Sequence, residues 1–185
     1  QMEIKTFLIY VIVFFLIPLS LSAQQKLEFI EEKIDFAINS ERFTINGIYY
    51  FVNNSTQEIK QTILFPFSKN TNSLTIKRIF NLSYAENLSY QKLENAVIFK
   101  LFVLPKDTVK INIAYSQNTV KENIYILEST QTWGQALKKA DYSLTFDTSV
   151  QIDSLSLKPD YLENNVYYWK KRNFYPNENF KVLIK

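Results

Sequence analysis

The sequence runs to 185 residues, 46% hydrophobic and 16% aromatic, with 21 Lys and Arg against 18 Asp and Glu for a net charge of +3. That composition excludes a disordered chain, and charges of both signs interspersed along it exclude the clustered positive footprint that nucleic acid requires. Neither His nor Cys occurs, which removes Ser-His-Asp and Cys-His catalysis, thiol redox chemistry, Cys/His zinc sites and any disulfide framework.

The first element is apolar. Thr6 to Ala23 carries no charge, follows Lys5 and precedes Gln24-Gln25. A charged start, an apolar run and small residues at Ser20, Ser22 and Ala23 are the order of a secretory signal peptide. Pro18 fits, because it breaks the helix ahead of a cleavage site. The apolar core Phe7 to Leu16 is about ten residues, whereas a spanning helix needs roughly 20. Cleavage is therefore expected between Ala23 and Gln24, with an uncleaved anchor helix as the alternative. The absence of Cys excludes a lipoprotein anchor, and residues 24–185 remain as one domain of about 160 residues, enough for a core.

From residue 31 onward period-two alternation dominates. Ile34, Phe36 and Ile38 share one face, as do Phe43, Ile45, Gly47, Tyr49 and Phe51. After a polar turn at Asn53 to Gln57 the chain returns through Ile59, Ile63 and Phe65 and stops at Pro66, which cannot donate to a ladder. Leu74, Ile76 and Phe80 form a further face. Ala96 to Leu104 is apolar on both sides and reads as a central, fully covered strand. Pro105-Lys106-Asp107 is a turn, and Val109, Ile111, Ile113 and Tyr115 give the cleanest alternation. Ile124–Leu127, Tyr142–Phe146, Val150–Leu157, Val166–Trp169 and Phe180–Ile184 complete the set, and only Thr132–Ala140 has room for a helical turn. With two glycines in the chain, Asn takes the turn role at Asn53-Asn54, Asn70, Asn72 and Asn164-Asn165. The pattern predicts an all-β fold, an antiparallel β-sandwich of about ten strands, with a closed barrel as the alternative.

Asn81-Leu-Ser-Tyr84 and Asn87-Leu-Ser-Tyr90 repeat six residues apart. In one continuous strand both tyrosines would share a face.

Two stretches have a family cadence. Phe43-Thr-Ile-Asn-Gly-Ile-Tyr-Tyr-Phe-Val-Asn-Asn, returning through Ile63-Leu-Phe-Pro-Phe67, resembles the start of vault/inter-alpha-trypsin-type domains and of related bacterial extracytoplasmic β-sandwich domains of unknown function. Leu104-Pro-Lys-Asp-Thr-Val-Lys-Ile-Asn-Ile-Ala-Tyr115, then Trp133-Gly134 and Ala140-Asp-Tyr142, resemble their later segments. The resemblance implies a sandwich and an interaction role, with no catalytic residues to carry over.

The candidate binding residues are aromatic and basic. Tyr49-Tyr50, Tyr167-Tyr168-Trp169 and Phe174-Tyr175 offer flat apolar faces, and adjacent strand residues point to opposite faces, so at most one member of each adjacent pair lies outside; Tyr50 and either Tyr167 or Trp169 are the candidates for a sugar platform. Lys170-Lys171-Arg172 beside them could hold an anionic glycan or lipid surface. Trp133 reads as a plug over one end of the core. The carboxylates Glu31, Glu32, Asp141, Asp147, Asp153 and Asp160 sit in no catalytic motif, and no Asp-x-Asp-x-Asp calcium loop occurs. No metal and no cofactor is expected. The reading is an exported, non-enzymatic domain with a protein partner in the periplasm or at the cell surface. A glycan is the alternative ligand, nucleic acid is excluded, and the membrane is met only through the N-terminal segment.

Overall fold

A computed structural model describes residues 26–69 and 73–185; the signal segment with its Ala23/Gln24 junction, and the turn residues Asn70 and Asn72, lie outside the described residues. Among the described residues no helix is long and apolar enough to cross a membrane. Among the described residues the alternation becomes fourteen strands, β1 (Glu28–Ile38), β2 (Arg42–Val52), β3 (Ile59–Pro66), β4 (Thr75–Asn81), β5 (Glu86–Asn87), β6 (Tyr90–Lys92), β7 (Ala96–Val103), β8 (Thr108–Asn118), β9 (Glu122–Tyr125), β10 (Leu137–Phe146), β11 (Ile152–Leu155), β12 (Tyr161–Glu163), β13 (Val166–Phe174) and β14 (Phe180–Ile184).

Eight of them form one sheet in the order β12-β13-β10-β1-β2-β8-β4-β5, and β11-β14-β9 and β3-β7-β6 form two sheets of three. The large sheet is mixed. β1 pairs antiparallel with β2 but parallel with β10, Ile34 opposite Tyr142 and Phe36 opposite Leu144. Alternation reports which face a strand buries and says nothing about the direction of its neighbour, so the antiparallel expectation holds for every pair except this one.

One apolar cluster joins all three sheets. Phe36 on β1 stacks on Phe180 of β14 at 4.5 Å between ring centroids, and Tyr115 on β8 meets Phe67, just past β3, edge-on at 4.7 Å. The inner face of the large sheet thus packs against both small sheets.

Two local expectations change. The helical turn falls at Glu128–Trp133, as a 3-10 helix ended by Gly134 in the left-handed region (φ 73°), and Leu137–Ala140 already belongs to β10. β7 is central in its small sheet, yet Lys100 and Phe102 stand exposed on its outer side. The strand buried on both faces is β8, from Ile111 to Gln117, because Arg42 and Arg78 lie across its outer polar positions. Arg42 donates to Ser116 Oγ (2.6 Å), and Arg78 Nε donates to Asn112 Oδ1. The repeated tyrosines do not share a strand, since the turn through Ala85 (φ 54°) separates Tyr84 from Tyr90 on β6.

Candidate functional site

The outer face of the large sheet collects the polar half of each alternation. At its β12–β13–β10–β1 end an open groove of about 480 Å³ runs between Lys33 and Asp35 on β1, Asp141 and Ser143 on β10, Tyr168 and Lys170 on β13, and Tyr161 on β12. The β12–β13 hairpin makes it. Asn164 (φ 49°) and Asn165 (φ 61°) both occupy the left-handed region that a two-residue I′ turn requires, which sets Tyr161 opposite Tyr168. The two rings stack at 4.7 Å, and Lys170 Nζ lies 5.4 Å from the Tyr161 centroid. Asp35 accepts from Ser143 Oγ at 2.7 Å.

The outward aromatic of β13 is therefore Tyr168. Tyr167 and Trp169 both face inward, since residues two apart share a face. Tyr167 stacks on Phe146 at 5.3 Å, and Trp169 is 0% exposed, with its ring edge-on to Phe180 and its indole N–H donating to Leu157 O. Neither can serve as a surface platform. Tyr50 does face outward, half-buried on β2, with Lys110 Nζ 5.6 Å from its ring. It lies apart from the groove. Lys170 reaches the groove, whereas Lys171 pairs with Asp160 (3.1 Å) and Arg172 with Asp141 (3.1 Å), so two of the three basic side chains already hold carboxylates. Hydrogen bonds from the Lys170 backbone and the Lys171 side chain hold the Asp160 carboxyl below its usual range. At Asp141 partial burial pushes upward, but Lys139 and Arg172 outweigh it and leave the carboxyl lowered.

The sequence alone does not set Glu32 apart from the other carboxylates that sit in no catalytic motif. Glu32 sits in the core, 2% exposed, two residues before Ile34 and on the same inner face. A register shift between Phe29 and Glu31 lets Phe29 face inward as well. Tyr142 Oη donates to Glu32 Oε1, Tyr125 Oη to Oε2 (3.3 Å), and Tyr49 Oη lies 3.2 Å from Tyr125 Oη. Burial pushes Glu32 up to about 7 against the pull of the two tyrosine hydroxyls. Tyr49 reaches this cluster by lying over Gly47, where any Cβ would collide with its ring. Glu32, Tyr49 and Tyr125 also line a cavity of about 110 Å³. Trp133, packed on Phe29 and Phe51, covers one side of it.

No family model matches this sequence, and no curated protein matches it either. Solved structures do match in shape. A crystal structure from Legionella pneumophila, provisionally named a nutrient-binding protein, superposes with a TM-score of 0.63 over 87% of this chain and 67% of its own, at 14% identity. An M1 zinc metallopeptidase from Deinococcus radiodurans gives 0.52 over 86% of this chain and 43% of its own, at 10% identity. Yeast LTA4 hydrolase gives 0.52 over 89% and 30%, at 8% identity. The chain thus spans about two thirds of the first and less than half of the others.

At such identities these likenesses concern the fold. The chain has no His, so a His-Glu-x-x-His zinc motif cannot be written in it. Among the described residues no three acidic side chains are grouped to hold a metal ion.

Proposed function

We propose that this chain is an exported, non-enzymatic β-sandwich module that binds a protein partner through the outer face of its eight-stranded sheet. The carrying observation is the Tyr161–Tyr168 groove. Stacked tyrosines beside Lys33, Asp35, Asp141 and Lys170 on a rigid sheet are the amphipathic aromatic and mixed-charge chemistry of recognition surfaces. Reading the one large and two small sheets as two layers of a sandwich puts this face outside the core. Export to the periplasm or cell surface rests on the Met2–Ala23 segment, and an interaction role accords with the resemblance to vault/inter-alpha-trypsin-type domains.

Two carboxylates share the groove, so hydrolysis has to be weighed. A glycosidase general acid needs a raised carboxyl pKa. Asp141 is lowered by Lys139 and Arg172, and Asp35 already accepts from Ser143. Asp141 is thus not prepared as an acid. The second reading, a carbohydrate ligand, is favoured by Tyr161, which stays 40% exposed in the groove. Retention electrophoresis of wild type and Tyr161→Ala through gels cast with envelope or plant polysaccharides separates the two. Equal migration is expected. Retardation that Tyr161→Ala abolishes would overturn the protein-partner reading in favour of sugar.

A further inference from the structure

Glu32 is a buried carboxylate with no cation of its own. Ionised groups inside proteins are paired or bound to a counter-ion, and among the described residues no Lys or Arg reaches this one. What faces it from the neighbouring elements is hydroxyl: Tyr49 from β2, Tyr125 from β9 and Tyr142 from β10. A carboxylate offers about four acceptor sites. Two are taken by Tyr142 and Tyr125, which leaves capacity for further donors.

The space beside it is suited to hold them. The cavity has β1 and β2 as its floor, one wall from Ile63 to Pro66 on β3, and the other from Tyr125 to Trp133. The first wall lies in one small sheet, and the second starts at Tyr125 on β9 of the other and continues through the 3-10 helix, so the layer covering the core is divided where the cavity lies. Its volume of about 110 Å³ exceeds the roughly 15 Å³ that one water needs and suits a ligand of a few heavy atoms. The lining is aromatic in Phe29, Tyr49, Phe51, Phe65 and Trp133, with hydroxyls at Ser129 and Thr132.

We propose that this cavity binds a small organic ammonium ion, its charge on Glu32 and its alkyl part against Phe29, Tyr49 and Trp133. The ammonium supplies the counter-ion that Glu32 lacks, and aromatic faces attract a desolvated cation. The site is separate from the Tyr161 groove and stands whether or not that groove binds a protein.

Propylammonium chloride, titrated into the purified chain and followed by tryptophan fluorescence and calorimetry, is the probe, with 1-propanol as its neutral counterpart. Saturable propylammonium binding is expected at pH 8, about tenfold weaker at pH 6 because a proton competes for a group that titrates near 7. Glu32→Gln should weaken it at least tenfold while leaving the weak propanol signal unchanged, and Tyr161→Ala should leave both alone. Should Glu32→Gln fail to fold, Trp133→Leu at the cavity wall should weaken propylammonium severalfold. The proposal is overturned if propylammonium gives no saturable signal, if propanol binds as well, or if neither variant alters binding.

Discussion

Glu32 couples the stability of this domain to pH. Its carboxyl titrates near 7 when folded, against an ordinary value of 4.5, so the folded state holds the proton more tightly than the unfolded chain. Stability from this group is full below about 4.5 and is lost as pH rises through 7, by about 3 kcal/mol as an order of magnitude for so buried a group. Urea midpoints should therefore fall between pH 5 and pH 8 in the wild type, and Glu32→Gln should flatten that fall. An identical pH dependence in the variant would remove Glu32 as its source. Gly47 belongs to the same cluster from the other side. Its missing Cβ makes room for the Tyr49 ring, so Gly47→Ala should cost about 1–3 kcal/mol as the ring is displaced, measurable as a lowered denaturation midpoint.

At the level of elements, the β12–β13 hairpin holds the candidate groove together, and it turns on two asparagines with positive φ. Asn165→Val, a β-branched residue forced to φ 61°, should lower the melting temperature by the equivalent of about 1–2 kcal/mol. Asn165→Gly should leave it equal or higher. The turn is readable in the sequence, because Asn-Asn has a local backbone cause, whereas the short strand Tyr161–Glu163 that precedes it is not. The inward set from Ile34 to Ile38 and from Phe43 to Phe51 was readable for the same kind of reason, since period two fixes a face. Glu32 lay within reach of that rule, being two residues from Ile34, but its charge argued for solvent, and only the facing Tyr142 and Tyr125 hydroxyls explain why it stays inside. Long-range relations had no such local cause. The parallel pairing of β1 with β10, the arginines that cover β8 and the inward turn of Tyr167 with Trp169 each depend on residues of other strands, outside the reach of local periodicity. The choice between Tyr168 and its two neighbours needed a single fact, which strand residues β10 and β14 cover.

For the whole molecule, one continuous sheet faces two small ones across a shared aromatic core. This leaves two places where chemistry gathers: an open, tyrosine-lined groove outside the large sheet, and an enclosed carboxylate beneath the divided layer. Solved proteins named for nutrient binding and for peptide hydrolysis share the shape, and shape by itself does not choose a task. The choice falls to the side chains, and the proposed reading assigns those of the groove to a protein partner. The most direct test is photo-crosslinking in the native cell envelope from a benzoylphenylalanine placed at Tyr161, with the same probe at Tyr175, exposed outside the groove, as the control. The account predicts one discrete protein adduct from position 161, lost when Lys170→Glu reverses the neighbouring charge and absent from position 175. Adducts equal at both positions, adducts indifferent to Lys170→Glu, or cross-links only to polysaccharide would contradict it.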